Sequence, residues 1–180
     1  MIANYLQSMG CVVYFSDFAA KRIIETDAQV KREIIAAFGE EAYSGDKYNN
    51  AYISDRVFSN SQLLSTLNAI VHPRVFEDLR QFAFAAQSPF IIVESAILFE
   101  SGMDAICDAV VCVVAPLDFR IECLVTRDNI TREQAVNRIN SQMTDSERIL
   151  RSDLVIRNYK NVDLAKLYLE IQNFLCKFAG

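Results

Sequence analysis

Four short apolar runs, each of strand length, constrain the fold of this chain more than any other feature of it. They are VVYF at 12–15, FIIVE at 90–94, the run at 109–114 and DLVIR at 153–157. Runs that are apolar at successive positions read as strands buried on both faces, which is the habit of parallel sheets. Helical patterns fall between and after them, at 17–26, 27–38, 50–58 and 61–71, then at 74–87, 117–127, 131–141 and 162–178. In the last, Leu164, Leu167, Tyr168, Ile171 and Leu175 form one stripe that needs a core to face. Thr131 with Gln134, and Thr144 with Glu147, have capping-box spacing and mark two helix starts. Strands separated by helices require crossover connections, so the expected class is α/β, a parallel sheet with helices on both faces.

The stretch 27–87 shows helical patterns and no strand, and it is too long for one crossover. It is expected to form a helical insertion on one side of the sheet, leaving 1–26 and 88–180 as the α/β core. Within it, EEAYSGDKYNN at 40–50 reads as a mobile loop. His72 precedes Pro73, and proline disfavours helix at the residue before it, so His72 is expected at a bend between two helices. Residues 1–9 read as a short helix with Ile2, Leu6 and Met9 on one side and Gly10 as its stop. An α/β domain seldom opens with a helix running straight into a strand.

Composition then excludes several functions. With 52% hydrophobic and 23% charged residues, the chain has enough apolar surface for a real core. A net charge of −5 and a pI near 4.9 argue against a broad surface for a nucleic-acid polymer or an anionic membrane. A local cluster of arginines still allows a small phosphorylated ligand. The apolar runs are strand-length, and the opening residues carry neither a basic flank nor a cleavage site, so the expected location is the cytoplasm. Five cysteines lie far apart with a single histidine, which is not zinc spacing, and no metal ligand set is expected.

Candidate chemistry gathers where the strands end. Asp17 follows VVYF and opens the next helix, where a carboxylate serves as a general base, as an N-cap, or as both. Lys21 lies one helical turn later and faces the same way. Glu94 ends FIIVE, where an acid either orients magnesium and its water or simply faces solvent; Glu100 follows near the same edge. His72 is either a structural residue at its bend or part of a site. Arg120, Arg127, Arg132 and Arg138 gather around one helix–turn–helix at 117–141, the region that the resemblance given below makes a lid at 117–142. Such arginines suit closure over a transferring phosphoryl group, or they form a solvated face paired with Asp118, Glu122, Asp128 and Glu133. The sequence contains no GxxxxGK[ST] and no GxGxxG.

Taken in order, VVYFSDFAAKRI, IVHPRV, ESAILFESG, TRDNITREQAVNRINSQM and SDLVIRN resemble the dephospho-CoA kinases, P-loop enzymes that phosphorylate the ribose 3′-hydroxyl of dephospho-CoA. The resemblance covers nearly the whole chain. It implies Asp17 as catalytic base, with Lys21, His72 and Glu94 on the substrate side and 27–87 as the CoA-binding region. It implies Arg127, Arg132, Arg138 and Gln142 in the lid, Asn158 near the adenine, and ATP with Mg2+ as donor. Three positions depart from the pattern. The family opens with a strand and a GGxGSGK[ST] loop, and MIANYLQSMG matches the helix just after that loop. Phe15 stands where a second acid is common, and Cys123 where an arginine is usual.

A chain truncated ahead of this helix is therefore expected, with its first, central strand missing and the strands at 90–94 and 109–114 not directly paired. The acceptor side is expected to bind better than the ATP side, and phosphate transfer is expected to fail without the loop. The alternatives are a non-catalytic remnant that binds a CoA-like ligand or a partner protein, and a different small-molecule P-loop kinase.

Overall fold

The computed structural model describes residues 2–58 and 60–178; Met1, where the expected first helix opens, lies outside the described residues. The chain divides into two compact units. One is Leu6–Ser95, and the other takes in Ala96 onward together with residues up to Tyr5. Helix α1, Ile2–Ser8, is followed by Gly10 at φ 87, a left-handed conformation that glycine adopts without a Cβ penalty.

In the Leu6–Ser95 unit, strand β1 (Val12–Phe15) leads directly into α2 (Ser16–Thr26) and α3 (Ala28–Phe38). Asp27 caps α3 by accepting from the Gln29 and Val30 amides at 2.8 and 3.0 Å. A 3-10 turn, Glu40–Ala42, then feeds an antiparallel hairpin of β2 (Tyr43–Ser44) and β3 (Lys47–Tyr48). The segment expected to be a strandless, mobile loop is this hairpin. Gly45, at φ 62, turns the chain, the Tyr43 and Tyr48 rings meet edge-on at 5.6 Å, and Lys31 Nζ donates to the Gly45 carbonyl at 3.1 Å.

Helix α4 (Asn50–Phe58) precedes α5, which runs unbroken from Ser61 to Ala85. Two helices with a bend at His72 were expected, and Pro73 instead lies inside a single helix. Proline lacks an N–H for the carbonyl four residues back, but that loss is outweighed here. Val71, Val75 and Leu79 form a continuous buried stripe across the proline, and α5 packs against α2, α3 and α4. Val30, Ile34, Ala42 and Ile53 complete a core with almost no solvent access. Strand β4 (Ile91–Glu94) returns beside β1 in parallel, with Val12 opposite Ile91 and Phe15 opposite Glu94.

In the other unit, β5 (Val111–Val114) is followed by α6 (Leu117–Asp128), α7 (Arg132–Asn140) and α8 (Asp145–Leu150), then β6 (Leu154–Arg157) and α9 (Leu164–Leu175). Both expected capping boxes form, at Thr131 with Gln134 and at Thr144 with Glu147. β5 and β6 pair in parallel, from Val111 opposite Leu154 to Val114 opposite Arg157. Helix α9 buries Leu167, Ile171 and Phe174, and the Tyr168 ring stacks on Tyr5 at 3.6 Å. The parallel α/β organisation is thus present as two ladders, β1–β4 and β5–β6, so the strands expected at 90–94 and 109–114, here β4 and β5, belong to different sheets. Among the described residues no helix is long and apolar enough to cross a membrane.

Candidate active site

The β1–β4 ladder and α2 bring the first group of candidate residues to one strand edge. Phe15 and Glu94 are register partners at the carboxyl ends of their strands. Just beyond, Ser16 is buried and its Oγ donates to the Glu94 carbonyl at 2.9 Å, which pins the start of α2 to the end of β4. Phe15 is the N-cap of α2, so Asp17 is not the capping residue. It occupies the first helical turn with its side chain exposed, where the helix N-terminus favours a carboxylate. Lys21 follows one turn later, also exposed. Asp17 and Glu94 thus share the edge at which open α/β sheets receive ligands.

His72 lies on α5, half-buried, and its burial pushes the imidazole pKa down, so the ring is neutral near pH 7. The helix also carries Asp78, whose carboxylate meets Tyr14 and Arg22. Neither contact was anticipated, because the partners lie 64 and 56 residues apart and leave no periodic signal.

The arginines of the helix–turn–helix have sorted themselves among carboxylates. Arg127 and Arg138 both donate to Asp128, at 2.7 and 2.8 Å, and Arg132 donates to Asp118 at 2.7 Å. Hydrogen bonding from Arg127, with Arg138 beside it, holds the Asp128 carboxyl below the usual carboxylate range. Glu122 pairs instead with Lys160 at 3.2 Å. Arg120 leaves the group altogether. It grips Asp145 on α8 with two bonds of 3.1 Å, and Arg148 donates to the same carboxylate. Glu100 accepts from the Met143 amide at 2.6 Å and so anchors the segment between α7 and α8. Asn158 follows β6, its amide extending the ladder to the Val114 carbonyl at 2.8 Å. Cys123 is exposed on α6.

The chain shares its fold with solved proteins. It is similar to the crystal structure of TT1252 from Thermus thermophilus, with a TM-score of 0.84 and 27% identity, covering 99% of this chain and 91% of that one. The dephospho-CoA kinase from Campylobacter jejuni shares the fold, with a TM-score of 0.66 at 21% identity, over 98% of this chain and 90% of that one. In sequence, the dephospho-CoA kinase of Bacteroides fragilis is 40% identical over 97% of this chain and 86% of its own length. That of Fusobacterium nucleatum is 34% identical over 96% of this chain and 89% of its own. These likenesses define an α/β phosphotransferase. The family model for dephospho-CoA kinase matches residues 1–163, and the chain belongs to that family.

Proposed function

We propose that this chain phosphorylates the ribose 3′-hydroxyl of dephospho-CoA, with ATP as donor, as a cytoplasmic step of coenzyme A biosynthesis. The observation that carries this is Asp17, relieved of capping and exposed in the first turn of α2 beside the end of β4. There it is available to accept the proton of the attacking hydroxyl, with Lys21, His72 and Glu94 lining the acceptor side. A neutral His72 suits this role, since it binds by hydrogen bonding without adding charge. We assign 27–87 to CoA binding, 1–26 and 88–180 to the core with helices on both faces of its sheet, and 117–142 to the lid.

In the lid, Arg127, Arg132 and Arg138 would exchange their carboxylate partners for donor phosphates, and Asn158 would approach the adenine. Among the described residues no group of three His, Cys, Asp or Glu side chains could hold a metal by itself. Magnesium would arrive on ATP, with Glu94 as the carboxylate that orders its water. Bound with ATP, the ion would neutralise charge on the transferring phosphoryl group.

No residue run in the sequence forms a phosphate loop. The non-catalytic alternative, binding a CoA-like ligand or a partner protein, is favoured by Cys123, a neutral thiol where the resemblance calls for a guanidinium.

A coupled ADP-release assay with ATP and dephospho-CoA, run beside calorimetry with dephospho-CoA, tests both readings. ADP release that depends on dephospho-CoA carries the kinase reading. Binding of dephospho-CoA without ADP release would favour the non-catalytic alternative.

A further inference from the structure

We propose that Tyr14, Asp78 and Arg22 form a clamp that holds α5, just beyond the proline that follows His72, against the strand and helix that carry Asp17 and Lys21. The Tyr14 ring is buried, and its hydroxyl donates to Asp78 Oδ2 at 2.8 Å, with the Val75 carbonyl a further acceptor at 3.3 Å. The same ring meets Phe82 edge-on at 5.2 Å. Val75, Asp78 and Phe82 are spaced by three and four, so Tyr14 lies along one face of α5. From α2, Arg22 Nη2 donates to both Asp78 oxygens, at 2.6 and 2.7 Å. Burial, then the hydrogen bond to Asp78, pushes the Tyr14 pKa well up, so the phenol stays a donor across the physiological range.

Two features make this more than one more packing contact. All three gripped positions on α5 follow Pro73, the point at which the helix has lost an internal hydrogen bond. A helix weakened there keeps its direction only if the half beyond the proline is held from outside. The two gripping residues also bracket the candidate site in sequence. Tyr14 lies three residues before Asp17, and Arg22 immediately follows Lys21. The carboxylate of Asp78 therefore ties the helix bearing His72 to the element bearing the base through charge-assisted bonds of defined geometry. None of the three is assigned contact with substrate; they are positioning residues.

The ligand named here rests on the acceptor assignment above, whereas the clamp does not. The experiment measures amide exchange over 74–85 and calorimetric affinity for dephospho-CoA in the full chain and in Asp78→Ala, Tyr14→Phe, Arg22→Gln and Arg22→Lys. Asp78→Ala should speed exchange across 74–85 and weaken dephospho-CoA binding by about tenfold, as expected when a binding group is displaced by a fraction of an ångström. Tyr14→Phe, which keeps the ring against Phe82, should give the same pattern at about threefold and serves if Asp78→Ala does not fold. Arg22→Lys should keep most of the affinity that Arg22→Gln loses. Unchanged exchange over 74–85 in both Asp78→Ala and Tyr14→Phe overturns the clamp. Faster exchange with unaltered affinity overturns its positioning role. Faster exchange in these variants of a parent chain that itself binds no dephospho-CoA upholds the clamp and overturns the acceptor assignment instead.

Discussion

The helical part of Leu6–Ser95 and the arginine hairpin of α6 and α7 are both built mainly of helix, yet they are held by different forces. Around α3 and α5 the contacts are apolar and deep, with Val30, Ile34 and Ala42 without solvent access. In the hairpin, among the described residues, only Ile121 and Ala135 are comparably enclosed, and the visible links are ion pairs of partly exposed side chains. Burial is strong and insensitive to ligands, whereas an exposed ion pair contributes little and can change partners. A region that must recognise one acceptor benefits from the first. A region that must release carboxylates and take up phosphates benefits from the second.

The largest expected effect separates chemistry from folding. Asp17→Asn should slow phosphoryl transfer by about 10²–10⁴ while leaving dephospho-CoA affinity within about twofold. Full activity in that variant would remove Asp17 as base.

Next comes the core. Ile34→Ala should cost about 2–5 kcal/mol, read from the urea midpoint, because it empties a fully enclosed site. Arg132→Ala in the hairpin should stay within about 0.5 kcal/mol. Similar costs at both positions would break the contrast between the two regions.

The Asp145 site sharpens the contrast, since it is an ion cluster that is not fully exposed. Arg120 and Arg148 both lean on this carboxylate, and the Nε of each is buried without a hydrogen-bond partner. Asp145→Ala leaves two guanidinium groups facing one another and should cost about 1–3 kcal/mol. Adding Arg120→Met to that variant should recover part of the loss. If the second substitution lowers stability further, the cluster is held by something other than charge.

The smallest effect is a pH dependence. His72 is the single histidine of the chain, and burial lowers its folded pKa below the ordinary value of about 6.5. Between those two values the unfolded chain binds the proton more readily, so stability should be constant above about pH 6.5, fall as pH drops from there toward the lowered folded value, and level off below it. His72→Asn should remove that fall. A denaturation midpoint with the same pH slope in parent and variant would assign it to carboxylates instead.

Much of this molecule was legible from local pattern. The strand at 12–15 has the expected bounds, and the other three lie within theirs, because strand-length apolar runs between helical patterns have few alternatives. Both capping boxes were readable because a cap is a contact across three residues. Nearest-neighbour chemistry also placed Asp17 beyond the end of a strand, although not whether it capped the helix.

What only the tertiary structure decided are contacts between residues distant in the chain. Local rules put a bend at His72, and the buried stripe of Val71, Val75 and Leu79 made one helix instead. Composition marked 40–50 as a loop, and the Tyr43–Tyr48 pair with Lys31 made it a hairpin. Four arginines looked like one cluster, and Asp145, 25 residues on, took Arg120 out of it. Sequence by itself determined the elements, because helix and strand periods are written within a few residues. Which carboxylate meets which guanidinium was decided only when burial brought the elements together, since charge carries no period and pairs with whatever packing sets within about 3 Å.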